Sequence, residues 1–147
     1  MKEISCCFIG ENRNYNQQST SALKEAIIRL AQKGVVDFYS NACNTFDIIG
    51  AAIVAVLQND LGIKNILVSP YPGFQKIKPD DFDTIIFLNH EKTGEEGGEA
   101  NIRNKYIVDA CQYAICYMDD PADEVYAMYE YAKKSQIEMI NLAASDL

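Results

Sequence analysis

Apolar positions along the chain fall into two alternating periods. Residues 3–10 (Glu-Ile-Ser-Cys-Cys-Phe-Ile-Gly) form an almost unbroken apolar run that stops at a glycine, the mark of a buried strand. Over residues 19–33 the spacing turns helical. Leu23, Ile27, Leu30 and Ala31 share one face, Ser19 and Ser21 offer N-caps, and Gly34 stands where a terminating glycine belongs. The same reading predicts a strand over 35–40, a helix over 45–60 stopped near Gly62, and a strand over 64–69 ended by Pro70 and Pro72. Residues 70–83 hold too many prolines and aspartates for a helix. A strand over 84–88 follows, then a polar Gly/Glu loop over 91–99 and a helix over 100–110. The chain closes with a strand over 113–118, a helix over 121–134 with Pro121 near its first turn, and a strand over 138–142.

Strands alternating with helices imply right-handed crossovers and a mostly parallel sheet. The strands read as continuous apolar runs, as parallel strands covered on both faces do. The expected fold is therefore α/β and Rossmann-like: three layers, a sheet of about six strands, helices on both faces. No repeat, linker or low-complexity stretch interrupts the pattern, so residues 1–147 are expected to form one domain.

The helix over 45–60 breaks the amphipathic rule. Ile48, Ile49, Ala51, Ala52, Ile53, Val54, Ala55, Val56 and Leu57 leave it almost no polar face. A helix apolar all round needs cover on both sides. The sheet supplies one, and the other side predicts a homodimer or higher oligomer built on this helix.

Charge narrows the partners. Thirteen Lys and Arg stand against twenty-one Asp and Glu, a net −8. That balance argues against direct nucleic-acid binding, which needs clustered cations on phosphates, and against anionic membranes. The longest uncharged apolar run, residues 48–57, is half a membrane span, and the first residues show no secretory cleavage site. A cytoplasmic protein is expected. Five cysteines without a Cys-x-x-Cys pair, and a single histidine, His90, predict no metal site. Cys6 and Cys7 should be buried thiols on opposite faces of a central strand.

In open α/β sheets ligands bind beyond the carboxyl ends of the strands. Two of the three arginines, Arg13 and Arg103, fall at that edge, where a guanidinium fork suits a phosphate or carboxylate. Arg103 has an equally good structural alternative, pairing with Glu99 or Asp109. Asn44 is expected to cap the helix, with Asp47 completing a capping box. Acidic residues crowd the edge elsewhere: seven between Asp80 and Glu99, then Asp119, Asp120, Asp123 and Glu124. They would repel a bare phosphate unless a divalent cation bridged it, and no other cofactor is implied.

Several stretches together resemble a known family. Cys7-Phe8-Ile9-Gly10 looks like its opening strand. Tyr39-Ser40-Asn41-Ala42-Cys43-Asn44-Thr45-Phe46-Asp47 looks like its first glycine turn, and Ser69-Pro70-Tyr71-Pro72-Gly73-Phe74-Gln75 like its Pro-Phe-x-Gly-Gln element. Arg103-Asn104-Lys105-Tyr106-Ile107-Val108-Asp109 is similar to its Arg-Asn helix, the most specific piece, and Tyr131-Ala132 to the end of its last helix. The family is the SLOG superfamily of Rossmann-like nucleotide-ligand proteins, nearest its YpsA-like branch. The LOG phosphoribohydrolases, which are lysine-decarboxylase-like, and DNA-processing protein A (DprA) are more distant. The glycine motifs are degenerate: Asn41-Ala42 replaces one Gly-Gly, and Asp123-Glu124-Val125 replaces Gly-Gly-Thr. The resemblance implies a nucleotide or nucleotide-derived ligand, with Gly10, Arg13, Asn41, Asn44, Asp47, Gly73, Arg103 and Asn104 as contacts. The phosphoribohydrolases use a glutamate for which Glu130 or Glu124 is the nearest match. The lost glycines predict weak or absent cleavage of nucleoside monophosphates. Two alternatives stay open: an enzyme cleaving the N-glycosidic bond of a nucleoside monophosphate, with Arg103 holding the substrate and Glu130 or Glu124 stabilising positive charge on the ribose, and a structural homo-oligomer with a decayed pocket.

Overall fold

The computed structural model describes residues 4–70, 82–88 and 98–145. Six strands, β1 (Ile4–Gly10), β2 (Val35–Ser40), β3 (Lys64–Ser69), β4 (Thr84–Phe87), β5 (Tyr113–Tyr117) and β6 (Glu138–Asn141), form one sheet in the order β4-β3-β2-β1-β5-β6. Every pairing is parallel. Helices α1 (Gln17–Gln32) and α2 (Thr45–Leu61) cover one face, and α3 (Gly98–Ala110) and α4 (Tyr126–Lys134) cover the other. The three-layer Rossmann-like fold expected from the alternation is the fold of the chain. The segments holding Gly73, His90 and most of the acidic 80–99 stretch lie outside the described residues.

Side-chain alternation along β1 divides the core in two. Cys6 and Phe8 face α1 and α2, among Leu23, Ile27, Phe38 and Phe46. Cys7 and Ile9 face α3 and α4, among Ile107, Val108, Cys116 and Met128. All four are at most 1% exposed, and each large apolar side chain so buried stabilises the fold by ~1.5–3 kcal/mol. The prediction of two buried thiols back to back on a central strand holds. Gly50 lets α2 lie close to the sheet: a Cβ there would sit 2.9 Å from the Phe8 ring.

Helix ends differ from the sequence reading. α1 begins at Gln17, two residues before Ser19, because Asn16 adopts the extended cap conformation and its Oδ1 accepts the Ser19 N–H at 2.8 Å. α4 begins at Tyr126 rather than at Pro121. Residues 121–125 form turns instead, in which the Asp120 and Asp123 carboxylates accept the N–H groups of Ala122 and Val125. Such Asx contacts compete with helix formation. A four-residue α5 (Leu142–Ser145) follows β6, where only a strand end was expected. α2 stops at Gly62, whose φ of 66° is the left-handed conformation glycine adopts freely.

The outer side of α2 is as apolar as its sequence. Ala52 is exposed, Ile48 is 43% exposed and Val56 is 78% exposed. No helix among the described residues is long and apolar enough to cross a membrane.

From β1 the chain builds outward through β2 and β3 to β4. It then crosses back on α3 to place β5 on the other side of β1. That reversal opens a crevice between the carboxyl ends of β1 and β5, with the ends of β2 and β3 beside it.

Candidate functional site

Among the described residues, the carboxyl edge of the sheet carries two polar clusters, one on the β2 side and one at the ends of β1 and β5. The first lies on the β2 side. There the chain leaves β2 through Asn41 and Ala42, and Ala42 takes a φ of 55°. A non-glycine residue in this left-handed region costs roughly 1 kcal/mol or more. The backbone here thus adopts a conformation that glycine takes more readily than alanine. The turn is held by its own side chains. Ser40 Oγ accepts the Ala42 N–H at 3.0 Å, and Asn41 Oδ1 accepts the Cys43 N–H at 2.9 Å.

Asp47 lies beneath this turn. It is 1% exposed, and its Oδ2 accepts the Asn41 N–H at 3.4 Å. Its Oδ1 is buried and, among the described residues, has no hydrogen-bond partner. Burial pushes the carboxyl pKa up to about 7; the Asn41 N–H and the nearby Arg103 guanidinium oppose the rise without cancelling it. The capping box expected from Asn44 and Asp47 is not formed. Asn44 occupies the cap position with extended backbone, but its Nδ2 donates to the Gly10 carbonyl at 3.3 Å, and Asp47 turns to Asn41. The first amide of the helix, Thr45 N–H, is taken by Asn12 Oδ1 at 3.2 Å.

Arg103 enters the same cluster from α3. It is 3% exposed, and its Nη1 donates to Cys43 Sγ at 3.3 Å. Its Nε and Nη2 lie 3.3 Å from Asn104 Oδ1, which also receives Asn41 Nδ2 at 3.4 Å. The alternative partner Asp109 is engaged elsewhere, accepting the Tyr131 hydroxyl at 2.7 Å. The structure thus brings together Asn41, Asp47, Arg103 and Asn104, drawn from two elements 60 residues apart in the chain. It adds Cys43, which lay within the first turn motif but was not among the expected contacts.

The second cluster lies at the ends of β1 and β5, and the sequence reading missed it. Glu11 is 3% exposed, and one carboxylate oxygen accepts the backbone N–H groups of both Asp119 and Asp120, the first at 2.6 Å. The other oxygen meets Arg13 Nη1 at 3.3 Å. Arg13 is itself largely exposed and covers the Tyr117 ring at 5.0 Å. Arg13 therefore serves Glu11 and Tyr117 rather than the Arg103 cluster. Gly10 is enclosed: a Cβ there would sit 2.2 Å from the Phe46 ring, so packing alone demands glycine.

Glu124 is exposed in the turn before α4. Glu130 lies 4.0 Å from Lys133 on the same helix and takes a hydrogen bond from Tyr126. Neither is brought to the Asp47–Arg103 cluster by the contacts described.

The five cysteines divide sharply by exposure. Cys43 is exposed, whereas Cys6, Cys7, Cys111 and Cys116 are buried. Burial raises the Cys6, Cys111 and Cys116 thiols above the ordinary range. With a thiol reagent in excess, native protein should label quickly at one position, and mass spectrometry should place it at Cys43. The other four should react only in denaturant. Rapid native labelling of Cys6 or Cys7 would contradict their central placement.

No family model and no curated protein sequence matches this chain. Solved structures do. DNA processing protein A from Helicobacter pylori, solved for its single-stranded DNA binding mode, superposes with a TM-score of 0.67 at 18% identity, over 94% of this chain and 64% of that one. DprA from Streptococcus pneumoniae gives 0.67 at 15% identity, over 94% of this chain and 50% of that one. The molybdenum cofactor binding protein from Rippkaea orientalis gives 0.62 at 13%, over 95% and 76%. This chain thus spans about half to two thirds of the DprA chains. At these identities the likeness is one of fold. It nonetheless corrects one expectation. Net charge argued against direct nucleic-acid binding, yet this same fold occurs in a protein that binds single-stranded DNA. Net charge sums over the whole chain, whereas strand binding is decided by local groups, so −8 is no ground for exclusion.

Proposed function

We propose that this chain binds a nucleotide or nucleotide-derived ligand on the β2 side of the carboxyl edge, against Asp47, Arg103, Asn104 and the Asn41–Asn44 turn, with little or no hydrolysis. The observation that carries this reading is the Asp47–Arg103 cluster. A buried carboxyl with an unmet oxygen and a buried guanidinium are costly unless they serve something, and they lie where α/β folds bind ligands. The fold shared with cofactor-binding and DNA-binding proteins agrees with a ligand-binding role. N-glycosidic cleavage finds no support in Glu124 or Glu130, which none of the described contacts joins to the cluster.

Calorimetric titration with nucleoside monophosphates, and in parallel with a short single-stranded oligonucleotide, tests the reading. Arg103→Ala should weaken binding by ~1.5–3 kcal/mol, the range for a charged hydrogen bond. Arg103→Lys should recover only part, because the fork is lost. Binding unaffected by Arg103→Ala in folded protein would move the site elsewhere. Response to the oligonucleotide alone would assign a polynucleotide ligand.

Self-association through α2 belongs to the same proposal. The patch of Ile48, Ala52 and Val56 on its outer face is uncharged, with the exposed Asp60 only at its end, so two copies can bury these apolar residues against each other. Light scattering should give at least a dimer at micromolar concentration. Val56→Glu, a change on the exposed side, should give a folded monomer. A monomeric wild type would end this part of the reading.

A further inference from the structure

The contacts of Glu11 form a complete anion site whose occupant belongs to the chain. Two consecutive backbone N–H groups, of Asp119 and Asp120, converge on one carboxylate oxygen, and a guanidinium lies 3.3 Å from the other. Successive amides aimed at one point, with an arginine behind, are the usual receptor for a phosphate or carboxylate oxygen. The position is the crevice where strand order reverses, between the ends of β1 and β5.

The rest of Glu11 fastens it there. Its N–H donates to the Tyr117 carbonyl at 3.2 Å, and its own carbonyl accepts the Tyr15 hydroxyl at 2.6 Å. Tyr15 packs edge-on against Tyr117, with ring centroids 5.1 Å apart. Of the acids expected to repel a bare phosphate, Asp120 and Asp123 accept the Ala122 and Val125 N–H groups within their own turn, and Asp119 and Glu124 are exposed to solvent, so none of the four contests the amide pair.

We infer that Glu11 is an internal anion occupying the Asp119–Asp120 amide pair, so that this crevice is closed to phosphate and carboxylate ligands and becomes an anion site only when the Glu11 carboxylate is removed. Glu11 is then a specificity-determining residue. It confines the anionic part of any ligand to the β2 side, where Arg103 lies. The inference stands on the Glu11 contacts and does not depend on the ligand proposed above.

Inorganic phosphate is the probe. In two-dimensional amide spectra of the wild type, added phosphate should leave the Asp119 and Asp120 resonances unmoved. In Glu11→Ala the same two resonances should shift saturably, with an affinity at least ~10-fold above the wild type's, the effect of one hydrogen bond to a charged group. A folded Glu11→Ala that shows no saturable shift overturns the inference, as does a wild type that responds equally. Should Glu11→Ala fail to fold, Glu11→Gln, which keeps the side chain's length and loses its charge, is the second variant. Its Asp119 and Asp120 amide resonances should move away from their wild-type positions, because a hydrogen bond to a carboxylate is stronger than one to a neutral amide. Unmoved Asp119 and Asp120 resonances in folded Glu11→Gln would show that the carboxylate does not occupy the pair.

Discussion

Asp47→Asn should abolish a pH dependence of stability that the wild type carries between about pH 4 and pH 8. In the folded chain burial holds the Asp47 carboxyl pKa at about 7, against an ordinary value of 3.8. The folded state therefore binds this proton more tightly than the unfolded state. The resulting stability is fully present below pH 4 and is lost as pH rises through 7. The whole effect is about 4 kcal/mol. Exposed carboxylates elsewhere add slopes of their own, so the quantity to measure is a difference: unfolding free energy of Asp47→Asn minus that of the wild type, from denaturant titrations at several pH values. It should rise by about that amount from acid to mildly alkaline pH. Asparagine keeps an acceptor for the Asn41 N–H, so the turn itself is preserved. Parallel curves would put the Asp47 proton at an ordinary carboxyl value and remove the argument for a strained polar cluster. In the wild type, ionisation above pH 7 creates a buried anion beside Arg103. Ligand affinity should change over the same interval, and only in protein that retains Asp47.

Gly10→Ala is expected to destabilise the fold by about 3 kcal/mol, the upper end of the cost of overpacking. The added Cβ would lie 2.2, 2.3 and 2.5 Å from Phe46 Cγ, Cδ2 and Cβ, so neither ring rotation nor a small tilt relieves it. The ring cannot retreat. Tyr15, Phe8 and Tyr117 surround it at centroid distances of 5.4, 6.3 and 6.4 Å. A chain of this size should lose roughly 6–12 °C in Tm. Gly10→Ala combined with Phe46→Leu should be more stable than the sum of the two single changes predicts, because the pair shares one space. A stable Gly10→Ala with impaired ligand binding would return Gly10 to the role its motif suggested, close backbone approach to a ligand.

Both expectations concern residues whose surroundings are distant in sequence, and this marks what could be read from the chain alone. Strand and helix existence was legible because burial on two faces imposes an apolar run and burial on one imposes a 3.6-residue period. Helix ends were not. The Asn16 cap and the Asp120 and Asp123 turn contacts are single hydrogen bonds; by residue type Ser19 was as good a cap as Asn16, and Pro121 suited a first helical turn that those turn contacts displace. Arg103, Asn104 and Asp47 were legible as site candidates because polar residues beside strand ends have few structural uses. Glu11 was passed over for the opposite reason. One acid after a strand looks like a solvated loop residue, and only the arrival of Asp119 and Asp120 from more than 100 residues away shows what it binds.

By itself, then, the sequence determined the layers of this protein: six apolar strands, helices between all of them but the third and fourth, parallel because the crossovers are long enough to return to the same edge, with the middle of α2 apolar on nearly every side. These follow from periodicity and chain length, which are local quantities. Tertiary structure alone decided which side chains meet at the carboxyl edge. It placed Arg103 on Cys43 and near Asp47, gave the Asp119–Asp120 amides to Glu11, and set Phe46 against Gly10. The physical reason is that hydrogen-bond partnership, desolvation and steric exclusion act over a few ångströms. Which distant residues come that close is settled by strand order, and strand order is written in no single segment of the chain.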